Sequence, residues 1–185
     1  MSDQRAEVLS KRRVYSGKLL KIDVDHLRLP GGNETVLETI RHPGAAAVLP
    51  VHDDGSVTLI YQYRHAVGRT IIEIPAGKID PGETPEACAL REVEEEVGWR
   101  AGRLDALGAI YTTPGFTDET IWLYLGRDLV ETAIARDADE VIEVARLPFA
   151  DALAMVGDGR IQDAKSVAAI LHTANHPDFR RFRSA

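Results

Sequence analysis

The sequence predicts an α+β fold: a mixed β-sheet between helical layers, preceded by a small antiparallel β unit. Two observations carry this. Short apolar stretches of period-two alternation, bounded by Gly, Pro, Asn and Asp, recur along most of the chain and read as strands. Helical segments at 86–97, 149–158 and 163–173 interrupt them, so helices alternate with strands. At 185 residues and 44% apolar content the chain is long enough for one sizeable core.

The elements follow in order. Residues 1–13 are polar, and Lys11-Arg12-Arg13 reads as part of a frayed, solvated terminus. Residues 14–29 alternate imperfectly, with Leu20, Ile22 and Val24 against Lys21, Asp23 and Asp25. Pro30-Gly31-Gly32-Asn33 is a hairpin-type turn, and 35–40 is the returning strand. Residues 12–41 therefore form the antiparallel unit, and His42-Pro43-Gly44 marks a junction, giving domains 1–43 and 44–185. Strands at 45–51 and 57–63, joined by Asp53-Asp54-Gly55, read as a hairpin. Residues 71–74 are a short strand feeding Pro75-Ala76-Gly77. Strands at 104–111 and 120–125 flank a loop, and the second places Trp122 and Tyr124 on one face. An acidic loop at 135–140, a strand at 141–147 and the last two helices follow, the final helix with the apolar set Val167, Ile170 and Leu171. The tail at 176–185 is basic and partly loose.

The stretch 77–99, GKIDPGETPEACALREVEEEVGW, organises the rest. Asp80-Pro81-Gly82 is a turn, Thr84 an N-cap, Pro85 a first helical residue and Gly98 a helix stop. Glu92, Glu94, Glu95 and Glu96 crowd the last two turns, where the helix already carries partial negative charge. Like charges at these spacings cost about 0.2–0.5 kcal/mol per pair. The bland reading is a solvated acidic face. Leu90, Val93 and Val97 form an anchoring apolar stripe, however, which fixes the direction of the acids. Clustered carboxylates on a rigid element suit a hard divalent cation, and Arg91 can orient one of them.

The net charge is −7, which argues against general nucleic-acid binding and fits a site whose carboxylates are neutralised by metal. No run is long and apolar enough for a membrane span, and the first residues have no apolar core of a signal peptide, so a cytoplasmic protein is expected. Cys88 is the lone cysteine and reads as a buried thiol rather than a nucleophile.

The spacing of Gly77, Glu83, Arg91-Glu92-Val93, Glu95-Glu96 and Gly98, followed by apolar Trp99, resembles the Nudix box. Trp99 stands where an aliphatic residue is usual, a departure expected to affect packing. The resemblance implies an α/β/α sandwich that hydrolyses nucleoside diphosphates linked to another group. It implies Glu92 and Glu96 as metal ligands assisted by Glu95, with Arg91 and Glu83 supporting the loop and helix. The Ala76 carbonyl could complete the metal's oxygen shell, or be turn backbone only.

YQYRH at 61–65, IIEIPAG at 71–77 and TTPGFTDE at 112–119 are similar to the ADP-ribose pyrophosphatase branch. That likeness implies Mg²⁺-dependent (or Mn²⁺-dependent) hydrolysis of ADP-ribose to AMP and ribose 5-phosphate. The alternatives are another sugar nucleotide such as ADP-glucose or GDP-mannose, or a catalytically silent ADP-ribose-binding module. Arg64 can make bidentate bonds to a diphosphate or a plain salt bridge. By resemblance Glu73 helps bind substrate or metal. Gly115-Phe116 shapes a substrate wall, or Phe116 packs in the core; Tyr61 and Tyr63 read as core aromatics, with stacking on adenine as the alternative. The branch implicates an acid in a late loop as general base, which here gives Glu140 with Asp139 behind it. It also implies a homodimer with exchanged N-terminal strands, in which Arg28 or Arg41 reaches the partner's pocket.

Overall fold

The computed structural model describes residues 5–136 and 141–182. Its contacts divide the chain into two units. One holds the segment through Gly44 together with Tyr111–Thr120; the other holds Ala45–Ile110 and the segment from Ile121 onward. The boundary expected at residue 43 does not include the second segment of the first unit.

The first unit is built on an antiparallel sheet of β1 (Glu7–Ser16), β2 (Lys21–Arg28) and β3 (Glu34–Arg41), with β2 central. Most of the terminus expected to fray is thus a strand. Charge explains it: Lys11 pairs with Asp23 at 3.0 Å, and Arg13 also pairs with Asp23, across the β1–β2 register. Asp23 and Asp25 are the buried residues of β2, while Ile22 and Val24 are half-exposed, the reverse of an ordinary apolar-in strand. Residues 111–120 join this sheet through a parallel bridge between Ile40 and Thr117.

The second unit contains β4 (Ala45–Pro50), β5 (Ser56–Arg64), β6 (Arg69–Glu73), β7 (Ala76–Lys78), α1 (Pro85–Val97), β8 (Trp99–Tyr111) and β9 (Thr120–Glu131). After these come β10 (Ile142–Pro148), α2 (Phe149–Gly157), α3 (Ala164–Asn175) and a 3₁₀ turn at Pro177–Phe182. β7-β4-β9-β8 form one sheet, mixed because β4 runs antiparallel to β7 and parallel to β9; β10-β5-β6 form a second, antiparallel sheet. The expected β4–β5 hairpin is instead a corner. The turn forms, with the His52 N–H on the Ser56 carbonyl at 2.9 Å, but pairing stops at a Val51–Val57 bridge. β4 already has β7 on one edge and β9 on the other, which leaves no edge for β5.

β4 is buried on both faces, and its alternation sorts two cores. Ala45, Ala47 and Leu49 pack with Ile121, Leu123 and Leu125 of β9 and with Phe149, Ala152, Met155, Ala169 and Ile170 of α2 and α3. Ala46 and Val48 pack with Ile60 and with Cys88, Ala89, Val93 and Val97 of α1; Trp122 and Tyr124 flank that core from one face of β9. The result is an α/β/α sandwich. Leu171, expected on the buried face of α3, is exposed; Tyr63, expected in the core, is exposed too. Trp99 stands edge-on to buried His52 with ring centroids 4.8 Å apart. Among the described residues no helix is long and apolar enough to cross a membrane.

Candidate active site

α1 begins with the Thr84 hydroxyl accepting the Ala87 N–H at 3.2 Å and Pro85 at its first position. It ends at Gly98, whose φ of 70° lets its N–H reach the Glu94 carbonyl at 3.0 Å. The next carbonyls are satisfied from outside the helix. Ala135 donates its N–H to the Glu95 carbonyl at 3.0 Å, and Arg136 donates Nε–H to the Glu96 carbonyl at 2.7 Å. A guanidinium at this end offsets the charge that the glutamates add to it.

Burial separates those glutamates. Glu92 and Glu96 are 8% and 2% exposed, whereas Glu94 and Glu95 are half-buried. Arg91 serves three carboxylates. Nε and Nη2 fork Glu83 at 3.0 Å each, and Nη1 reaches Glu92 at 2.6 Å and Glu95 at 3.1 Å. The fork holds the Glu83 carboxyl down at about 2, and Glu83, with Glu92 and Glu95 behind it, raises the Arg91 guanidinium above its usual value.

The strand before the helix lies against the buried acids. The Ala76 N–H donates to Glu96 at 3.0 Å. A Cβ on Gly77 would sit 1.8 Å from Glu92 Oε1, so only glycine admits this carboxylate. The Cys88 thiol donates to the Gly77 and Lys78 carbonyls at 3.4 and 3.5 Å; burial pushes it up to about 12, which makes it inert as a nucleophile. Glu92, Glu95, Glu96 and the Ala76 carbonyl, the expected ligands, are all oxygen donors, the type a hard cation prefers. As the side chains stand, no three His, Cys, Asp or Glu residues converge on a metal-sized point among the described residues. Glu92 and Glu95 turn to Arg91, and Glu96 turns to the Ala76 N–H.

A second polar cluster closes β6. Glu73 is 1% exposed and takes a fork from Arg64 Nε and Nη2, both at 2.7 Å. Lys165 Nζ donates to the same carboxylate and lies 3.0 Å from Asp163. Burial would raise the Glu73 carboxyl; Arg64 and Lys165 outweigh it and hold the group below its usual range.

Residues 41–170 match the NUDIX domain family model. This chain belongs to the Nudix family. It is 41% identical to an ADP-ribose pyrophosphatase of Bacillus subtilis (strain 168), over 92% of this chain and 93% of that one. It is 37% identical to a methanol dehydrogenase activator of Bacillus methanolicus, over 89% and 90%. It is 36% identical to a GDP-mannose pyrophosphatase of Yersinia pestis (strain Pestoides F), over 74% and 73%. A crystal structure of an ADP compounds hydrolase superposes over the full length of both chains with a TM-score of 0.84 at 25% identity.

The Nudix residues Ala76, Glu83, Arg91, Glu92, Glu95 and Glu96 thus gather around the β7–α1 connection, while Arg64 and Glu73 pair with each other. Gly115, Phe116, Arg28 and Arg41 belong to the other unit. Phe116 is exposed, which removes core packing as its role, and its carbonyl accepts the Ile40 N–H at 2.8 Å; nothing crowds Gly115. Arg28 pairs with Glu7 at 2.8 Å and Glu34 at 2.9 Å. Arg41 pairs with Asp23 at 3.0 Å, Asp25 at 2.5 Å and Asp118 at 3.3 Å. Asp139 and Glu140 lie outside the described residues. Lys165 and Arg136 were not singled out in the sequence. Lys165 left a signal: a cation at the second position of a helix, where the dipole disfavours it.

Proposed function

We propose that this Nudix hydrolase cleaves the diphosphate of ADP-ribose to AMP and ribose 5-phosphate, using Mg²⁺ or in its place Mn²⁺. The observation that carries the reading is the pressing of buried Glu92 and Glu96 against Ala76-Gly77, with one guanidinium, Arg91, shared by Glu83, Glu92 and Glu95. Likeness to an ADP-ribose pyrophosphatase over nearly the whole chain supports the substrate.

Glu92 and Glu96 would hold the ion, with Glu95 assisting and the Ala76 carbonyl available as a further oxygen donor. When bound, Mg²⁺ supplies charge neutralisation at the diphosphate and a more acidic water. Arg91 keeps the carboxylates in register and Glu83 holds Arg91. Arg64 binds the diphosphate and Glu73 orients it. Glu140, with Asp139 behind it, takes the proton of the attacking water. Gly115 and Phe116 form a wall for the sugar or base.

The protein works as a homodimer with exchanged N-terminal strands, Arg28 and Arg41 reaching the partner's pocket. Val8, Val14, Tyr15, Val36 and Leu37 support this: all are exposed apolar residues on one three-stranded sheet. The lone, buried Cys88 suits a cytoplasmic setting, and the −7 charge suits neither nucleic acid nor a membrane surface.

Likeness to a GDP-mannose pyrophosphatase favours a second reading, another nucleotide sugar. Product analysis with ADP-ribose, ADP-glucose and GDP-mannose plus Mg²⁺ separates the readings. AMP and ribose 5-phosphate from ADP-ribose, at the highest kcat/KM of the panel, are expected. Release of no nucleotide from any of the three leaves the binding module.

A further inference from the structure

Lys165 is 7% exposed and sits at the second position of α3, directly after the N-cap Asp163 and Ala164. A buried cation facing the positive end of a helix is doubly unfavourable unless its partners are strong. Asp163 supplies only part of the compensation. Its Oδ2 also accepts the Ser166 N–H at 3.0 Å and the Ser166 hydroxyl at 2.5 Å, and so caps the helix. The other partner of Lys165 is Glu73, 92 residues earlier in the chain.

Glu73 is held by Arg64 through Nε and Nη2, which leaves Nη1 outside the fork, on a side chain 40% exposed. Had Glu73 only Arg64 as partner, the two would form a neutral pair, and the carboxylate would cancel much of the guanidinium's pull on an anion. Lys165 shares that carboxylate and is itself met by Asp163, so the four charges balance, and Lys165 draws part of the Glu73 charge away from the exposed Arg64. The same turn of α3 holds the next residue of the strand as well: the Ser166 hydroxyl accepts the Ile74 N–H at 2.9 Å. Helix and strand end are thereby fixed together, and Arg64 is aimed through Glu73.

We propose that Lys165 is a positioning residue for diphosphate binding, acting through Glu73 to aim Arg64 and to keep the Glu73 carboxylate from fully cancelling the Arg64 charge facing the substrate. The proposal rests on the diphosphatase reading above. It is tested on the full chain with Lys165→Met and Lys165→Arg, titrated calorimetrically with α,β-methylene ADP-ribose and with inorganic diphosphate, each with Mg²⁺. Lys165→Met is expected to weaken both at least tenfold, and Lys165→Arg to return within threefold of wild type. In turnover of ADP-ribose the loss is expected in KM more than in kcat. Should Lys165→Met fail to fold, Lys165→Gln takes its place in the same comparison. A purely structural lysine would lower the melting temperature and leave both dissociation constants unchanged, and that result overturns the proposal. So does Lys165→Arg binding no better than Lys165→Met. Failure of the wild type to release AMP from ADP-ribose overturns the substrate reading instead, and the inorganic diphosphate titration still decides the role of Lys165.

Discussion

Two clusters of acids in this protein are held in different ways. In the N-terminal sheet, Asp23 and Asp25 are buried, and Lys11, Arg13 and Arg41 surround them. Arg13 foremost, with Lys11 and Arg41, holds the Asp23 carboxyl well below its usual range. On α1, Arg91 is shared by Glu83, Glu92 and Glu95, and Glu96 is met by the Ala76 backbone N–H. Cations match or exceed carboxylates in the first cluster, which makes it a fastening between strands. In the second, three carboxylates share one guanidinium, an arrangement to which a bound cation would add. Both contain buried acids; cross-strand pairing supports a structural role for the first, and the crowding of carboxylates supports the proposed chemical role of the second.

The largest effect expected from this contrast is at the α1 cluster. Glu92→Gln and Glu96→Gln should each lower Mg²⁺-dependent turnover by ~100-fold or more while the melting temperature holds or rises, because a self-repelling charge is removed. Asp23→Asn should do the opposite, lowering the melting temperature by leaving Arg13 and Lys11 without their partner. Activity and thermal melts on the three variants check both halves. If Glu92→Gln unfolds the protein and Asp23→Asn leaves its melt unchanged, the division is wrong.

Gly77→Ala sharpens the same point. The added Cβ displaces the flexible end of Glu92 rather than backbone, so the fold should survive and turnover should fall by ~10-fold or more. A variant with wild-type kinetics would show that the Glu92 position is unimportant.

The sequence displayed the second cluster and concealed the first. The box positions, the Thr84 cap and the Gly98 stop are local signals, legible because helix capping acts within a few residues. The fastening depends on Lys11 and Arg13 meeting Asp23 across strands, and a charge run alone looks the same as a frayed terminus. The β4–β5 corner was hidden because a turn motif reports the turn and not which sheet each strand joins. The Lys165–Glu73 contact spans 92 residues without a motif, although a lysine in the first turn of a helix marked it. Glu140 and Asp139 came from resemblance and remain proposals.

Smaller effects test the frame around α1. Gly98→Ala imposes φ of 70° on a side chain and brings its Cβ to 2.9 Å from Ile134 Cγ1 and 3.1 Å from the Thr132 carbonyl oxygen. A loss of more than about 1 kcal/mol in chemical denaturation is expected. Thr84→Ala should cost about 1 kcal/mol by losing the N-cap.

The Arg91–Glu83 fork makes a pH prediction. The folded Glu83 carboxyl titrates at about 2, below its ordinary 4.5, so its stabilising contribution is complete above 4.5 and is lost as pH falls toward 2. Glu83→Gln should flatten this part of the acid-denaturation curve, and an unchanged curve would contradict the fork.

The central claim, that the carboxylates crowded on α1 form a divalent cation site, is tested most directly by Mn²⁺ titration followed by electron paramagnetic resonance. The account expects saturable loss of the free Mn²⁺ signal with wild type and with Glu94→Gln, and little or none with Glu92→Gln or Glu96→Gln. Mn²⁺ uptake by Glu92→Gln and Glu96→Gln equal to wild type would contradict it.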